Sequence, residues 1–203
     1  MKNEERREQT TRQLLNATKS LIREKGCHAI TMQDIMNESG LSKGAIFHYV
    51  KNKDEIFAWV LQESLEETNE LFNDQVKREP KTFDGPMQAI ARSLTALENP
   101  QDVTNKVFVY LIGKEDNPAV AEVLHRFYDR AVTLSRNWIA AGQRHGVIPE
   151  SVDTAKTSEL FVLLSLGLRV RSTVSEPGDT FTARDLSAFM TAILQHSSKG
   201  EIQ

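Results

Sequence analysis

Residues 31–53, TMQDIMNESGLSKGAIFHYVKNK, place the strongest constraint on how this chain can fold. Thr31 precedes Asp34 by three residues, a spacing at which a hydroxyl and a carboxylate together cap the start of a helix. Apolar residues then repeat at helical spacing up to Gly40, which ends the helix because glycine adopts a left-handed backbone without steric cost. The sequence therefore predicts one short amphipathic helix here.

A second short helix is predicted directly after the glycine turn. Ser42 can cap it, and it extends from Lys43 to about Val50. Leu41 is apolar and can fill the gap between the two helices, while Ile46 and Val50 are expected to point into the core. Two short helices joined by a tight turn form a helix-turn-helix, whose second helix enters the major groove of DNA.

The longer segment TMQDIMNESGLSKGAIFHYVKNKDEI resembles the DNA-binding signature of the TetR family of bacterial transcriptional regulators. The matching features are the Thr before DI, the SG-L-S-KG turn, the aromatic pair before Val50, and KNKDEI at the start of the next helix. The resemblance implies a repressor that binds a palindromic operator in double-stranded DNA as a homodimer and is released by a small-molecule effector. The chain departs from many members at Ala45, where they have Thr, and at Phe47, where they have Tyr.

The DNA contacts expected of this motif fall into two groups. Phosphates are met by hydroxyls, lysines and helix N-termini, and bases by side chains on the groove-facing side of the second helix. Lys43 can donate to guanine, and Ala45 and Phe47 can touch a thymine methyl group. The predicted DNA-binding residues are Thr31, Met32, Ser42, Lys43, Gly44, Ala45, Phe47, His48, Tyr49 and Lys53.

The charge of the chain is distributed unevenly. Residues 1–53 hold 10 Lys and Arg against 6 Asp and Glu, a net charge of +4, whereas residues 54–203 hold 15 against 22, a net charge of −7. A basic N-terminal segment on an acidic body is what a polyanion-binding domain would show, although many solvated surfaces show as much.

The rest of the chain consists of helical patterns separated by clear breaks, without strand alternation. Beyond the two short helices, the predicted helices lie at 6–25, 52–76, 86–97, 101–112 and 118–146, one following Asp153, and a last one containing 186–194 after a break at Pro177-Gly178. The predicted fold class is all-α. A three-helix DNA-binding domain with the helix-turn-helix is expected at 1–53, and a helical bundle for dimerisation and effector binding at 54–203.

Residues 160–170, LFVLLSLGLRV, are apolar on nearly every side of a helix, so several neighbours must cover them. The cover can come from the chain's own helices, as in an ordinary buried helix, or from a second copy. The resemblance favours dimerisation through the last two long helices. The predicted interface residues are Leu160, Leu164, Gly167, Leu168, Phe189 and Ile193.

An effector pocket between the C-terminal helices is implied by the same resemblance. Aromatic side chains dominate such pockets, although an aromatic residue at helical spacing is more often part of the ordinary core. The predicted lining residues are Phe108, Tyr110, Leu111, Phe127, Trp138 and Phe161.

Other functional classes have little support in the sequence. It contains no glycine-rich phosphate loop, no GxSxG and no HExxH, and its histidines (28, 48, 125, 145 and 196) are scattered, so no enzyme, metal or cofactor is expected. A helical module that binds protein or RNA is the remaining alternative.

The absence of a signal-peptide pattern and of a bilayer-length apolar run, with Cys27 as the single cysteine, favours a cytoplasmic protein without a membrane partner. Cys27 is either a buried thiol or an oxidant sensor with a lowered pKa.

Overall fold

The computed structural model describes residues 2–174 and 181–195, and these form nine helices and no strand. The break predicted at Pro177-Gly178 lies outside the described residues. The all-α prediction is confirmed. The helices, in chain order, are α1 (Lys2–Ala29), α2 (Met32–Ser39), α3 (Lys43–Phe47), α4 (Lys53–Val76), α5 (Asp84–Leu97), α6 (Val103–Ile112), α7 (Pro118–Arg144), α8 (Thr154–Val174) and α9 (Ala183–Gln195).

Helix α1 is longer than the predicted 6–25. It begins at Lys2, and its backbone leaves helical geometry at Gly26 (φ 74°, ψ 163°), the residue expected to stop it. A short helical turn then continues to Ala29. The polar start of the chain favours helix because Glu4 and Glu5 lie in the first turn, where the helix dipole stabilises negative charge.

Helix α3 is shorter than predicted, since it ends at Phe47 rather than near Val50. The amides of Tyr49 and Val50 both donate to the Ile46 carbonyl, at 2.9 and 3.1 Å, so the chain closes into a turn there. The caps predicted for the later helices are present. The Asn52 side chain accepts from the amide of Glu55 at 3.1 Å, and Asp153 accepts from Ala155 and Lys156 at 3.0 Å each.

The chain divides into two compact units. Unit 1 comprises Met1–Ser64 and Gln101–Leu124, and unit 2 comprises Leu65–Pro100 and His125–Gln203. The compact units are drawn differently from the predicted functional domains at 1–53 and 54–203, because unit 1 takes in the start of α4, all of α6 and the start of α7.

Unit 1 has a core of side chains that the first helices and α6 contribute. Helix α1 packs against both α2 and α6. The fully buried side chains of this core include Leu14, Ile22, Ile35, Ile46, Phe57 and Leu111. A helix-turn-helix alone buries little apolar surface, and the flanking helices supply the rest.

Unit 2 is built around an apolar cluster in which α5 packs against α8 and α9. Its buried members include Phe72, Ile90, Phe161, Leu168, Leu186 and Leu194. Polar pairs tie α4 to α7 within this unit: Arg130 donates twice to Glu66 (2.8 and 2.9 Å), and Trp138 Nε1 donates to Asn69 at 3.0 Å. Among the helices of the described ranges, none is long and apolar enough to cross a membrane.

Candidate nucleic-acid interface and effector cavity

The turn between α2 and α3 is fixed by local hydrogen bonds at both helix ends. The Asp34 amide donates to Thr31 Oγ1 at 3.1 Å, and the Thr31 amide donates to the Asp34 carboxylate at 2.9 Å, which confirms the predicted capping. Bonds from the Thr31 hydroxyl and amide lower the pKa of Asp34 to about 2. Gly40 adopts the left-handed conformation (φ 67°), and its amide bonds to the Met36 carbonyl at 3.0 Å.

Helix α3 separates an exposed face from a buried one. Ser42 caps it by accepting from the Ala45 amide at 3.2 Å. Ile46 and Val50 are buried, as predicted. The exposed face consists of Ser42, Lys43, Gly44, Phe47 and His48, with Ala45 and Tyr49 half-buried beside them.

The chemistry of that face suits a DNA groove. Lys43 places its ammonium 5.8 Å from the centre of the Phe47 ring, and the ring is 41% exposed although it is large and apolar. A Cβ added to Gly44 would meet nothing within 4 Å, so the backbone is open to close approach there. The His48 and Tyr49 rings meet edge to face at 4.9 Å. The structure thus brings together most of the predicted DNA-contacting residues on one short helix and its turn.

Lys53 is placed differently from the expectation that it contacts a phosphate. Its ammonium donates to three backbone carbonyls, of Cys27 (3.0 Å), His28 (3.3 Å) and Ile30 (2.7 Å). Desolvation lowers the pKa of Lys53. Because these carbonyls end α1 and the bend after it, Lys53 holds the chain where it turns towards α2, and we leave it out of the proposed DNA-contacting set.

Tyr110, predicted to line an effector pocket, lies instead in unit 1, where three helices meet. Its hydroxyl donates to Asp54 at 3.1 Å and accepts from Lys114 at 2.9 Å, and Lys114 also reaches Asp54 at 2.5 Å. Its ring meets His28 and Phe57 edge to face, at 4.9 and 5.2 Å. Tyr110 therefore links α6 to the start of α4 and to the end of α1.

The charges around Tyr110 are balanced by these contacts. Desolvation raises the pKa of the Tyr110 hydroxyl. For Lys114, desolvation is outweighed by the hydrogen bonds and charge of Asp54 and Tyr110, so its pKa is raised.

Phe108 and Leu111, predicted with Tyr110 as effector contacts, are also buried in unit 1, in α6. The sequence did not predict that these α6 residues belong to unit 1, because the apolar face of a helix gives no indication of the helices it packs against.

An apolar cavity of about 60 Å³ lies within unit 2. Of the predicted lining residues, Trp138 and Phe161 line it, whereas Phe127 is buried elsewhere, with its ring 5.9 Å from the Arg169 guanidinium. Lining side chains that the sequence did not single out come from α4, α5, α7, α9 and the connecting loops. They include Phe72, Gln75, Phe83, Met87, Ile90, Ser135, Ile148, Met190 and Leu194. Those on helices have the spacing of any core face, and Phe83 and Ile148 lie outside the helices, so no local signal distinguishes them.

Helix α8 carries an exposed apolar stripe on one side. Leu160, Leu163, Val170 and Val174 are 39, 53, 38 and 74% exposed, and a Cβ on Gly167 would meet nothing within 4 Å. On α9, Phe189 is 44% exposed.

Three of the predicted interface residues pack in or against the core of their own unit and are therefore less available to a second copy. Leu168 is buried in its core, and Leu164 and Ile193 pack against that core. The side of α8 left exposed is therefore Leu160, Leu163, Gly167, Val170 and Val174, and we leave Leu164, Leu168 and Ile193 out of the proposed interface.

The remaining reactive groups have ordinary surroundings. Cys27 is buried, and desolvation raises the pKa of its thiol to about 11, which opposes the oxidant-sensor reading. Among residues 2–174 and 181–195 there is no group of three or more His, Cys, Asp or Glu that could hold a metal ion. His196 lies outside the described residues.

Comparisons with known proteins agree with this geometry. The family model described as "Bacterial regulatory proteins, tetR family" matches residues 14–60. The uncharacterized HTH-type transcriptional regulator YfiR of Bacillus subtilis (strain 168) is 23% identical over 168 residues, which cover 81% of this chain and 80% of YfiR. The HTH-type transcriptional regulator UidR of Escherichia coli (strain K12) is 24% identical over 160 residues, covering 78% and 79% of the two chains.

Solved structures share the fold. A putative TetR-family transcriptional regulator from Syntrophomonas wolfei superposes with a TM-score of 0.68 at 14% identity, covering 93% of this chain and 96% of that one. The structure described as the SmeT–triclosan complex superposes with a TM-score of 0.65 at 18% identity, covering 90% of each chain. At these identities the likeness concerns the architecture of the helices alone.

Proposed function

Because this chain belongs to the TetR family of bacterial transcriptional regulators, we propose that it binds a palindromic DNA operator as a homodimer, represses transcription, and is released by a small-molecule effector. The observation that carries this proposal is the exposed face of α3. A lysine, a glycine open to close approach and a half-exposed phenylalanine face outward there, while Ile46 anchors the helix from behind.

Base contacts are proposed for Lys43, Ala45 and Phe47. The lysine can donate to guanine O6 and N7, and the two apolar side chains can touch a thymine methyl group. Gly44 lets the backbone approach the groove closely. Since Ala45 and Phe47 carry no hydroxyl, the selectivity they supply is apolar.

Phosphate contacts are proposed for Thr31, Ser42, His48 and Tyr49, which flank the groove-facing residues. Thr31 and Ser42 lie at the N-termini of α2 and α3, where free backbone amides and the helix dipole attract anions. Met32 is half-buried at the start of α2 and is proposed as an apolar neighbour of these contacts.

Dimerisation is proposed through the exposed stripe of α8 together with Phe189 of α9. Exposed apolar residues at spacings of three and four form a continuous face, which water does not favour. The absence of a side chain at Gly167 allows a second helix to approach closely. Two-fold pairing would set two α3 helices roughly 34–36 Å apart, or a near multiple, so that they read a palindrome.

Effector binding is proposed in the cavity of unit 2. In support, the solved structure described as SmeT–triclosan is a complex of a protein of the same fold with a small molecule. A ligand in such a cavity releases DNA only by its differential affinity for the DNA-competent and DNA-incompetent states. The cytoplasm, where the genome of a bacterium lies, is the proposed location.

Electrophoretic mobility shift with DNA from upstream of the protein's own gene tests the proposal. Lys43→Ala should weaken specific binding by about 1–3 kcal/mol if Lys43 reads a base edge. Lys77→Ala removes an exposed lysine of unit 2 and is the matched control, with no loss expected. Equal losses on operator and random DNA would make Lys43 a phosphate contact only. A wild-type protein that shifts no DNA selectively would overturn the proposal in favour of a protein- or RNA-binding module.

A further inference from the structure

We infer that the cavity of unit 2 selects an uncharged ligand with a single aromatic ring and rejects anions and cations of the same size. This inference rests on the effector role proposed for the cavity. The side chains that line the cavity decide which ligand chemistry it accepts.

The walls of the cavity are almost entirely carbon. Four aromatic rings contribute to them, from Phe72, Phe83, Trp138 and Phe161. The Phe72 and Trp138 rings are stacked, with centroids 5.2 Å apart and planes inclined by 26°. Aromatic faces and edges attract a further ring through offset or edge-to-face contacts, so a planar aromatic ligand fits this lining best.

Two of the polar side chains at the cavity, those of Trp138 and Lys81, are already engaged. Trp138 Nε1 donates to Asn69 at 3.0 Å, so the indole presents carbon to a ligand. The Lys81 ammonium donates to the Val76 carbonyl at 2.8 Å and to the Arg78 carbonyl at 3.4 Å, and it pairs with Glu79 at 2.8 Å. An anionic ligand would therefore have to displace three oxygen atoms to reach this lysine.

Only one other titratable side chain is found among the described lining residues, that of His145, which is exposed. Inside the cavity a cationic ligand would meet no carboxylate among the described lining residues, and an anionic ligand would meet the already paired Lys81 and the exposed His145. Burying an unpaired charge is far costlier than burying a neutral ring, because the lost hydration is not replaced. The lining therefore discriminates by charge as well as by shape.

The volume limits the ligand to a small one. A cavity of about 60 Å³ compares with roughly 30 Å³ for one water molecule in the liquid, and a cavity of about 150 Å³ holds benzene. Met87 and Met190 line this space, and unbranched thioether side chains change rotamer easily. A single ring can enter when these two methionines move, whereas a fused polycyclic ligand would require the helices to separate.

Three probes of matched size test the inference on the free protein: benzyl alcohol, benzoate and benzylammonium at pH 7.5. The chain has two tryptophans, so Trp59→Phe leaves Trp138 as the single indole. In ¹⁵N-tryptophan-labelled Trp59→Phe protein, benzyl alcohol should shift the indole N–H resonance, and the two ions should bind at least tenfold more weakly. Benzoate or benzylammonium binding as tightly as benzyl alcohol would overturn the inference, as would no response to benzyl alcohol at millimolar concentration.

A pair of variants locates the binding. Met190→Phe fills the cavity with a stiffer side chain and should abolish the response to benzyl alcohol, while Met190→Leu nearly conserves the volume and should retain it. An unchanged response in a folded Met190→Phe protein would place the ligand elsewhere and overturn the inference. If Met190→Phe does not fold, the comparison of the three probes on the Trp59→Phe protein decides.

Ligand binding and DNA release are measured separately, so that the two proposals fail independently. Selective binding of benzyl alcohol without any change in the DNA shift would contradict the effector role alone. DNA binding that follows the Lys43 predictions, together with tight benzoate binding, would contradict the ligand class alone.

Discussion

Both units bury apolar side chains and cap helix ends, but in unit 1 side-chain hydrogen bonds are concentrated around the helix-turn-helix, whereas in unit 2 the apolar cluster encloses a cavity. Thr31, Ser42 and Lys53 each fix a helix end of unit 1. In unit 2 the buried cluster of α5, α8 and α9 surrounds a cavity lined by flexible methionines.

The difference matches what each unit is proposed to do. Hydrogen bonds are directional, so a network of caps fixes the backbone around α3, and a groove-reading helix needs that precision. Apolar packing is not directional, and a core with a cavity can admit a ligand when side chains change rotamer. Four pairs of substitutions test this contrast.

Truncating a core side chain of unit 2 should have the largest effect. Leu186 is fully buried in the apolar cluster, so Leu186→Ala should lower the free energy of unfolding by about 2–5 kcal/mol. Leu71→Ala, at a leucine of the same unit that is 50% exposed, is the control and should change it by less than about 0.5 kcal/mol. Urea unfolding measures both. A loss of unfolding free energy in Leu186→Ala as small as that in Leu71→Ala would show that apolar packing does not dominate the stability of unit 2.

Removing the Lys53 ammonium should have the next largest effect. Lys53→Met leaves three carbonyls without their charged donor and should cost about 2 kcal/mol of unfolding free energy. Lys51→Met, at an exposed lysine nearby, is the control. Hydrogen exchange should report faster opening at residues 27–30 in the first variant only. Normal protection there in Lys53→Met would contradict the role of Lys53 as a cap.

A matched pair of tyrosines compares the two units directly. Tyr110→Phe removes a hydroxyl that bonds to Asp54 and Lys114 in unit 1 and should cost about 1 kcal/mol. Tyr128→Phe removes one bond to Glu159 in unit 2 and should change stability within about 0.5 kcal/mol. Tyr110→Phe should also weaken operator binding more than random DNA binding if Tyr110 positions the DNA-binding helices. Equal effects of the two variants on stability and on operator binding would contradict a role for Tyr110 in positioning the DNA-binding helices.

The capping of α2 should appear as a pH dependence. The pKa of Asp34 is about 2 in the folded protein and 3.8 in its ordinary state, so the stabilisation from its carboxylate is complete above pH 3.8 and is lost as the pH falls towards 2. The difference in unfolding midpoint between wild type and Asp34→Asn should shrink over that range. Thr31→Val removes the hydroxyl bond and should reduce the same pH dependence. A difference that is constant with pH would contradict this account.

Much of unit 1 could be predicted from the sequence because the signals are local. The pair Thr31 and Asp34, the left-handed Gly40 and the cap Ser42 lie within a few residues of the groups they bond. Capping and helical period therefore predicted α2, the start of α3 and the burial of Ile46. The end of α3 was predicted too late because the apolar period continues through Val50, although the chain has already turned.

Partners in space were harder to predict than helices. Tyr110, Phe108 and Leu111 were assigned to a pocket by their aromatic and apolar character, and the structure places them in unit 1. Lys53 was assigned to DNA by its position after α3, and its ammonium turns back to the end of α1 instead. On α8 the apolar residues surround the whole helix, so periodicity gave no indication of the side that is exposed.

By itself the sequence determined the all-α class, the helix-turn-helix and the face of α3 that is proposed to meet DNA, since caps, glycine conformation and helical period act between residues close in the chain. Only the tertiary structure decided that α6 packs with the N-terminal helices, which rings line the cavity of unit 2, and which stripe of α8 remains exposed. Those outcomes depend on hydrophobic burial between residues distant in sequence, and burial is non-directional, so it leaves no local pattern that identifies the partner.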